Sequence, residues 1–458
     1  MAYPENVGIK AMEIYIPSQC LDQTLFERAQ GVSAGKYTIG LGLKSMNFCT
    51  DREDTDVCSL ALTAVASLLR KYDIDPKSIG RLEVGTESLI DKAKSVKTVL
   101  TQLFEPSGNT SLEGADTINA CYGGTNALFN AVNWVESRAW DGRDAIVVAS
   151  DIAVYDQPSS RPTGGAGCVA ILVGPNAPLS LEPSLRGIFM THGYDFYKPN
   201  PKSEYPLVNG HESIRCYLSA LDGCYRDLKQ RRDKAKILAN GHGPKDDAKH
   251  LLDLFDYMAF HTPNCKLVSK SYGRLLYNDA LHSNDDSIWS SVSAELRNLT
   301  YDESLHSKEL EKTFVALSEK RYVARVEPCI VAPSRCGNMY TASLYCSLIS
   351  LISNIDVKDT IGKTIGLFSY GSGIASTLFG IKVTGDLSQM VQKIDLMRRL
   401  DQRHIATPDE FDAACALREK AYGAKDFVPV GDISNFAADT YYLEGIDEMF
   451  RRTYAIKK

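Results

Sequence analysis

Apolar residues recur along the chain in two alternating patterns, one of helical period and one of short β-branched runs. Residues 56–72 place Leu60, Ala64 and Leu68 on one side of a predicted helix, because positions about four apart share a helix face. The run at 145–150 is apolar almost throughout and has the length of a buried strand. Strands and helices that alternate in this way are typical of a layered α/β fold.

The order of elements in the first half of the chain returns in the second half. Both halves contain a loop, a helix, a strand, a glycine-rich turn and a second strand. In the first half these are the loop ending at Cys121 and residues 122–140, 145–150, 163–167 and 168–173. In the second half they are the loop ending at Asn338 and residues 339–352, 364–369, 371–373 and 374–383. The repeat predicts two α/β halves with pseudo-twofold symmetry, with two unrelated α/β domains as the alternative.

The division that follows from this repeat places residues 5–176 in an N-terminal half and residues 177–456 in a C-terminal half. Polar and charged stretches near 230–250 and 283–310 predict peripheral insertions in the second half. Neither stretch has the biased composition of a flexible linker.

Composition narrows the class of protein. The 458 residues are 44% hydrophobic and 24% charged, which is ordinary for a soluble globular protein. A net charge of −6 argues against an electrostatic nucleic-acid binder. The apolar runs fall short of the roughly 20 residues that cross a bilayer. The N-terminus shows neither a secretory signal nor an Arg-rich transit segment, so we expect a cytoplasmic protein.

The twelve cysteines are scattered, and no Cys-x-x-Cys pair occurs among them. Neither a zinc ribbon nor a thioredoxin-type motif is therefore supported. We expect most of these cysteines to be reduced, buried and structural.

Cys121 stands apart from the other cysteines by its surroundings. The sequence at 119–125 is Asn-Ala-Cys-Tyr-Gly-Gly-Thr, so small residues flank the thiol directly before a predicted helix. The positive end of a helix lowers the pKa of a thiol and stabilises the thiolate. The glycines leave backbone N–H groups free as oxyanion donors for an acyl ligand. The pattern indicates a nucleophilic cysteine, with a buried cysteine in a tight turn as the alternative.

His261 ends a short apolar strand, just before a predicted helix over 265–281. Polar residues at the carboxyl end of a strand in an α/β sheet are where ligands bind, although a single histidine is often structural. Lys266 and Lys270 follow at a spacing of four and share a helix face. They fit either a phosphate-attracting surface or a solvated charged face.

Glu87, Asn338 and Ser372 also lie where predicted elements end. Each has an ordinary interpretation as well: a surface carboxylate, a helix N-cap and a turn residue. No P-loop and no G-x-S-x-G motif is present. The sequence Gly-Ser-Gly at 371–373 does not complete a dinucleotide motif, because residue 376 is serine.

Taken together, these segments resemble the 3-hydroxy-3-methylglutaryl-CoA synthase family. The matching segments follow the family's order over nearly the whole chain: 35–42, 81–87, 119–125, 161–165, 194–199, 260–263, 337–341 and 368–373. Ser111, Leu112 and Ala115 depart from the family's pattern, away from the residues with candidate chemistry.

The resemblance implies a thiolase-like fold, with two halves in a layered α-β-α-β-α arrangement, usually as a homodimer and without metal or redox cofactor. It implies that acetyl-CoA and acetoacetyl-CoA are condensed, with product directed to the mevalonate pathway. Cys121 corresponds to the acetyl-accepting nucleophile, Glu87 to the general base/acid and His261 to a second acid/base residue. Substrate- or CoA-contacting positions correspond to Ser33, Ala34, Thr163, Ser213, Lys266, Lys270, Asn338 and Ser372. The backbone N–H groups of Cys121 and Ser372 correspond to an oxyanion hole.

Two alternatives stay open from the sequence. A CoA-primed β-ketoacyl synthase shares the Cys, His and Asn set but typically lacks the carboxylate that Glu87 provides. A non-catalytic CoA-ester-binding protein has no need of Cys121, Glu87 and His261 together.

Overall fold

The computed structural model describes residues 4–53, 57–238, 248, 250–283 and 286–458. Within these residues the strands are β1 (Gly8–Tyr15), β2 (Gln19–Asp22), β3 (Ser45–Asn47), β4 (Ile79–Gly85), β5 (Asp116–Thr117), β6 (Asp144–Ala153), β7 (Gly165–Gly174), β8 (Leu179–Met190), β9 (Phe196–Tyr197), β10 (Leu207–Val208), β11 (Tyr257–Phe260), β12 (Thr364–Gly371), β13 (Ala375–Val383), β14 (His404–Ala406), β15 (Tyr441–Ile446) and β16 (Arg452–Ile456).

The helices in the same residues are α1 (Gln23–Ala29), α2 (Cys58–Lys71), α3 (Val96–Leu100), α4 (Gly123–Val135), α5 (Gly210–Leu238), α6 (Cys265–His282), α7 (Asp286–Trp289), α8 (Ala294–Arg297), α9 (Tyr301–His306), α10 (Lys308–Arg325), α11 (Pro333–Cys336), α12 (Ser343–Ser353), α13 (Ser388–Ile394), α14 (Leu396–Asp401) and α15 (Pro408–Ala421).

Nine strands form one sheet in the order β11-β12-β13-β8-β1-β7-β6-β4-β5. On one side β4 and β6 are parallel, and β7 and β1 continue antiparallel. On the other side β11 and β12 are parallel, and β13 and β8 continue antiparallel. The two units meet where β1 and β8 pair antiparallel over two residue pairs. The sheet thus contains the same strand arrangement twice, related by a pseudo-twofold axis, as the repeated element order predicts.

Side chains that alternate along the strands separate the helices into layers. In β6, Ile146 and Val148 pack in the cluster that includes α2, whereas Val147 and Ala149 pack in the cluster that includes α4. In β13, the ring of Phe379 lies 5.2 Å from that of Phe129 on α4. On the opposite face of β13, the hydroxyl of Ser376 contacts the thiol of α5 residue Cys224 at 3.2 Å.

The central layer contains α4 and α12, which pack against each other between the two half-sheets. The Thr125 hydroxyl on α4 lies 3.1 Å from the Tyr345 hydroxyl on α12 and 2.8 Å from the Ser369 hydroxyl on β12. The order from one surface to the other is α2, half-sheet, α4 with α12, half-sheet, α5. This order confirms the predicted α-β-α-β-α arrangement.

One predicted element is wrong. Residues 163–167 do not form a glycine-rich turn, since Gly165 already begins β7. A Cβ on Gly165 would lie 2.4 Å from the carbonyl oxygen of Asn338, and one on Gly167 would lie 2.1 Å from Met339 Cε. The glycines permit close packing of the loop before α12 against a strand, rather than a reversal of the chain.

The two predicted insertions differ from each other in the structure. The first begins within α5, which extends to Leu238, and its residues 239–247 and 249 lie outside the described residues. The second contains the short helices α7, α8 and α9, and it is anchored by the buried side chains Trp289 and Leu296. Residues 284 and 285 lie outside the described residues. Within the described part of the chain, every helix is too short or too polar to cross a bilayer.

Candidate active site

The carboxyl ends of β4 and β6 bring two carboxylates together. Asp151 is fully buried near the end of β6, and its Oδ1 accepts hydrogen bonds from Thr86 Oγ1, the Glu87 backbone N–H and Ser88 Oγ at 2.8, 2.8 and 2.9 Å. Its Oδ2 accepts the Thr341 backbone N–H at 3.0 Å. Asp151 therefore ties the segment that carries Glu87 to the turn before α12.

Cys121 lies in a strained turn directly before α4. Its φ of +51° falls in the left-handed region, which costs a non-glycine residue about 1–2 kcal/mol. A Cβ on Gly123 would lie 2.6 Å from the Thr117 carbonyl oxygen, and one on Gly85 would lie 2.1 Å from the Gly124 nitrogen. The glycines thus let the start of α4 contact the end of β4. This contact brings the Cys121 backbone N–H to 2.6 Å from Glu87 Oε2.

The expected direction of the thiol pKa is wrong. Burial raises the pKa of the Cys121 thiol well above its usual value, and the charges of Glu87 and Asp151 raise it further. The charge of Lys198 acts in the opposite direction and lowers the pKa of the thiol. Desolvation and two nearby carboxylates outweigh the helix end, whose effect is small in comparison. The thiol proton therefore has to leave as the acyl group arrives.

Lys198 is a residue at this site that the sequence analysis did not single out. Its Nζ lies 3.4 Å from Glu87 Oε1 and 4.8 Å from the ring centroid of Tyr340. Burial and the charge of Glu87 raise the pKa of Asp151 to about 7, against the opposing charge of Lys198. The sequence signal for Lys198 is the segment Tyr-Asp-Phe-Tyr-Lys-Pro at 194–199. This segment supports the resemblance, but the sequence analysis assigns no role to its lysine.

His261 lies at the carboxyl end of β11, next to β12. Its backbone N–H donates to the Phe368 carbonyl oxygen at 2.8 Å, and its carbonyl accepts the Tyr217 hydroxyl at 2.7 Å. The side chain is 2% exposed, and among the described residues its Nδ1 has no hydrogen-bond partner. Burial lowers the pKa of His261 to about 3. The imidazole is therefore neutral at ordinary pH, which restricts its acid/base role to a neutral donor or acceptor.

We expect His261 to remain neutral down to about pH 5, because protonation would place an unpaired charge in a buried site. The measurement is a pH titration of ¹⁵N-labelled histidine by NMR, in which the His261→Ala variant assigns the resonance. The other seven histidines serve as internal references. A His261 resonance that titrates between about pH 6 and 7 would contradict the buried, neutral assignment.

Asn338 lies in the loop before α12, which also contacts Asp151 through the Thr341 backbone N–H. Its backbone N–H donates to the Thr163 carbonyl oxygen at 3.3 Å, and its Oδ1 accepts the Tyr340 backbone N–H at 2.9 Å. Gly337, with a φ of +76°, packs so closely that a Cβ would lie 1.9 Å from the Gly164 carbonyl oxygen. Two of the predicted substrate-binding residues, Asn338 and Thr163, are thus in direct backbone contact.

The loop that carries Ser372 packs against the nucleophile turn. A Cβ on Gly371 would lie 1.9 Å from the Ala120 carbonyl oxygen. Buried Asp195 holds the other side of the loop, since it accepts the Gly373 backbone N–H at 3.0 Å and the Tyr370 hydroxyl at 2.8 Å. Asp195 is a second supporting carboxylate that the sequence analysis did not identify.

The remaining predicted substrate-binding residues lie outward from this centre. Ser33 and Ala34 are exposed in a loop held by the Glu27 carboxylate, and Ser213 is half-buried near the start of α5. The loop reaches α6, where the Lys266 backbone N–H donates to the Leu41 carbonyl oxygen at 3.0 Å. The structure thus brings the Ser33 loop next to Lys266.

Lys266 is exposed, whereas Lys270 is half-buried and forms an ion pair with Glu311 at 3.0 Å. Lys270 also lines a cavity of about 540 Å³ between α5, α6 and α10. The cavity's other cationic residues include Arg215 and Lys308. Glu212 and Glu311 line the same cavity and Lys266 does not, so an anion-binding role for the two lysines stays a prediction.

We expect the double variant Lys266→Ala, Lys270→Ala to raise the KM for CoA esters more than it lowers kcat, because phosphate contacts are remote from the reacting carbons. The effect should shrink as salt rises, since exposed charges are screened. Steady-state kinetics at two ionic strengths measure both effects.

The matched control is Lys358→Ala, Lys363→Ala, which removes two exposed charges elsewhere on the surface. If both double variants show the same KM at low ionic strength, Lys266 and Lys270 are ordinary surface residues.

Known proteins resemble this chain over its full length. Two family models match the chain, "Hydroxymethylglutaryl-coenzyme A synthase N terminal" over residues 3–178 and "Hydroxymethylglutaryl-coenzyme A synthase C terminal" over residues 179–457. A hydroxymethylglutaryl coenzyme A synthase of Fusarium sp is 73% identical over 457 residues, covering 100% of both chains. The hydroxymethylglutaryl-CoA synthase of Saccharomyces cerevisiae is 50% identical over 455 residues, covering 99% of this chain and 91% of the relative.

A solved structure, MvaS in complex with 3-hydroxy-3-methylglutaryl coenzyme A, is also similar. It has a TM-score of 0.84 at 34% identity and covers 99% of this chain and 100% of that chain. Sequence and fold agree over the full length.

Proposed function

The chain belongs to the hydroxymethylglutaryl-CoA synthase family, and from that premise we propose that Cys121, Glu87 and His261 perform its reaction. The reaction condenses acetyl-CoA with acetoacetyl-CoA and water to give 3-hydroxy-3-methylglutaryl-CoA and CoA, which supplies the mevalonate pathway. The observation that supports these roles is the 2.6 Å contact between Glu87 Oε2 and the Cys121 backbone N–H, beside a thiol at a helix start.

The first step transfers the acetyl group to Cys121. The sulfur attacks the thioester carbonyl, the bond to the CoA sulfur breaks, and CoA leaves with a proton. The Cys121 and Ser372 backbone N–H groups stabilise the oxygen that becomes negative. Covalent attachment divides one difficult condensation into easier steps.

The second step removes a proton from the methyl group of acetyl-Cys121. This carbon is a very weak acid, so the step needs a positioned carboxylate and donors for the enolate oxygen. Glu87 lies in contact with the turn that holds the acetyl group and serves as the base.

The third step joins the two substrates. The enolate carbon attacks the ketone carbon of acetoacetyl-CoA, and the ketone oxygen becomes an alkoxide. Neutral His261 donates a hydrogen bond to that oxygen, together with Asn338, and the alkoxide takes up the proton that Glu87 removed from the methyl group. Water then hydrolyses the thioester to Cys121 and frees the product.

Thr163, Ser33, Ala34, Ser213, Lys266, Lys270 and Ser372 bind the two CoA esters in this proposal. The family resemblance further supports a cytoplasmic homodimer of two halves, 5–176 and 177–456, that needs no metal or redox cofactor.

The test begins with the wild-type protein and acetyl-CoA. Peptide mass spectrometry should find one acetyl group on Cys121. Added acetoacetyl-CoA should then react with the acetylated protein, so that both are consumed and 3-hydroxy-3-methylglutaryl-CoA forms. Acetylation without consumption of acetoacetyl-CoA would favour another thiolase-fold acyltransferase. Binding without acetylation would favour a non-catalytic CoA-ester-binding protein.

A further inference from the structure

The ammonium group of Lys198 pairs with the oxygen of Glu87 that does not accept the Cys121 backbone N–H. Lys198 follows β9, which pairs with β10 in a short antiparallel hairpin. Its Nζ lies 3.4 Å from Glu87 Oε1, 4.8 Å from the Tyr340 ring centroid and 6.0 Å from the Phe196 ring centroid. Aromatic faces attract a cation, so rings and carboxylate together fix where the ammonium lies.

The two oxygens of Glu87 have different partners. Oε2 accepts the Cys121 backbone N–H at 2.6 Å. Oε1 is buried without a hydrogen-bond donor among the described residues, and the Lys198 ammonium is its ion-pair partner. A buried carboxylate without a nearby cation favours the neutral acid. Only the ionised form removes a methyl proton, so the charge beside Oε1 bears directly on the base.

Other titratable groups face this pair. On the inner side, Asp151 and Cys121 add negative charge or the capacity for it, while the buried phenols of Tyr155 and Tyr340 have raised pKa values and stay neutral.

On the outer side, a cavity of about 630 Å³ is lined by Lys198 and Glu87 together with the ionisable side chains Asp91, Lys92, Lys94, Lys97, Asp116, Glu204 and Tyr422. Glu204 pairs with Arg418 at 2.7 Å, and Asp116 accepts the Val96 backbone N–H at 2.6 Å. Among the ion pairs of the described residues, that of Glu87 is with Lys198.

We propose that Lys198 is a positioning residue whose ammonium pairs with Glu87 Oε1 and holds the carboxylate against the nucleophile turn. This assignment rests on the proposed role of Glu87 as the base. Lys198 then acts on proton removal and condensation, not on acetyl transfer or on binding of the CoA esters.

The experiment uses Lys198→Met, which keeps the length of the side chain and removes its charge. Acetylation of Cys121 should persist, with KM for acetyl-CoA unchanged. Deuterium exchange into the acetyl methyl group and kcat of condensation should fall about 10-fold near neutral pH, less than the loss of the base itself. The acid limb of the kcat profile should move to higher pH, because Lys198 opposes the raised pKa of Asp151 beside Glu87, and its removal raises that pKa further.

Lys198→Arg keeps the charge and should restore most of the rate. Lys202→Met, an exposed lysine of the same loop, should match wild type. Combined with Glu87→Gln, Lys198→Met should add little further loss, since both act on one proton transfer. Lys198→Gln repeats the test if the Met variant does not fold.

An acid limb that stays in place, or an equal loss at every pH with lower thermal stability, would reduce Lys198 to a structural residue. A wild-type protein that is never acetylated would instead reject the proposed function. A wild-type protein that condenses normally, with Lys198→Met equal to it at each pH, would reject only the Lys198 assignment.

Discussion

Cys121→Ala is expected to lose acetyl transfer to the protein and, with it, condensation. The loss should be at least ~10⁴-fold, the scale on which a catalytic nucleophile acts. Alanine keeps the Cβ and tolerates the same φ of +51° as cysteine, so the fold and binding of CoA esters should persist. The measurements are intact mass after incubation with acetyl-CoA, thermal unfolding, and titration with a CoA ester.

The matched control is Cys415→Ala, which alters a half-exposed cysteine on α15. It should be acetylated like the wild type. An acetyl group found on any of the eleven other cysteines in Cys121→Ala would overturn the assignment of the nucleophile.

Glu87→Ala should still form acetyl-Cys121 but should lose condensation by at least ~10²–10⁴-fold, the usual contribution of a positioned acid/base group. The structure also predicts how the rate of acetylation changes in this variant. Because Glu87 raises the pKa of the Cys121 thiol, its removal favours the thiolate, so acetylation should be no slower than in wild type. Single-turnover acetylation followed by titration with acetoacetyl-CoA separates the two steps.

His261→Ala should differ from Glu87→Ala in the second substrate. Acetylation should survive, while acetoacetyl-CoA should bind more weakly because its ketone oxygen loses a partner. Asn338→Ala should behave similarly, and the two losses should not add, since both groups act on one oxygen. A Glu87→Ala protein that cannot be acetylated, or that condenses at a near-normal rate, would contradict this division of roles.

The sequence predicts much of this fold because its halves repeat and its strands are buried. The apolar run at 145–150 lies within β6, Asp144–Ala153, and the helix predicted over 56–72 is α2, Cys58–Lys71. Such elements depend on local periodicity, which a single sequence displays. The turn predicted at 163–167 is wrong because the glycines at 164–167 allow close packing against residues near Asn338, which are distant in the sequence.

The site residues likewise divide into those with a local sequence signal and those without one. Cys121 and Glu87 have local signals, a glycine-flanked thiol and a carboxylate after a strand. Asp151 has none, and Lys198 has only the segment at 194–199 that supports the resemblance, because the importance of both comes from distances to Glu87 that exist only after folding. The direction of the Cys121 pKa was predicted wrongly for the same reason. The helix end is visible in the sequence, whereas desolvation and two neighbouring carboxylates are not.

The contact between Glu87 and the Cys121 backbone N–H also sets an order of events. One donor cannot serve a carboxylate and an acyl oxygen fully at the same time, and at 2.6 Å it serves the carboxylate. In the proposed mechanism, the acyl oxygen of acetyl-Cys121 therefore displaces Glu87 Oε2 when it takes this N–H. Oε2 is then the free basic oxygen nearest to the new methyl group, while Oε1 stays paired with Lys198. Arrival of the acetyl group thus releases the base, and the site begins proton abstraction only once there is a proton to abstract.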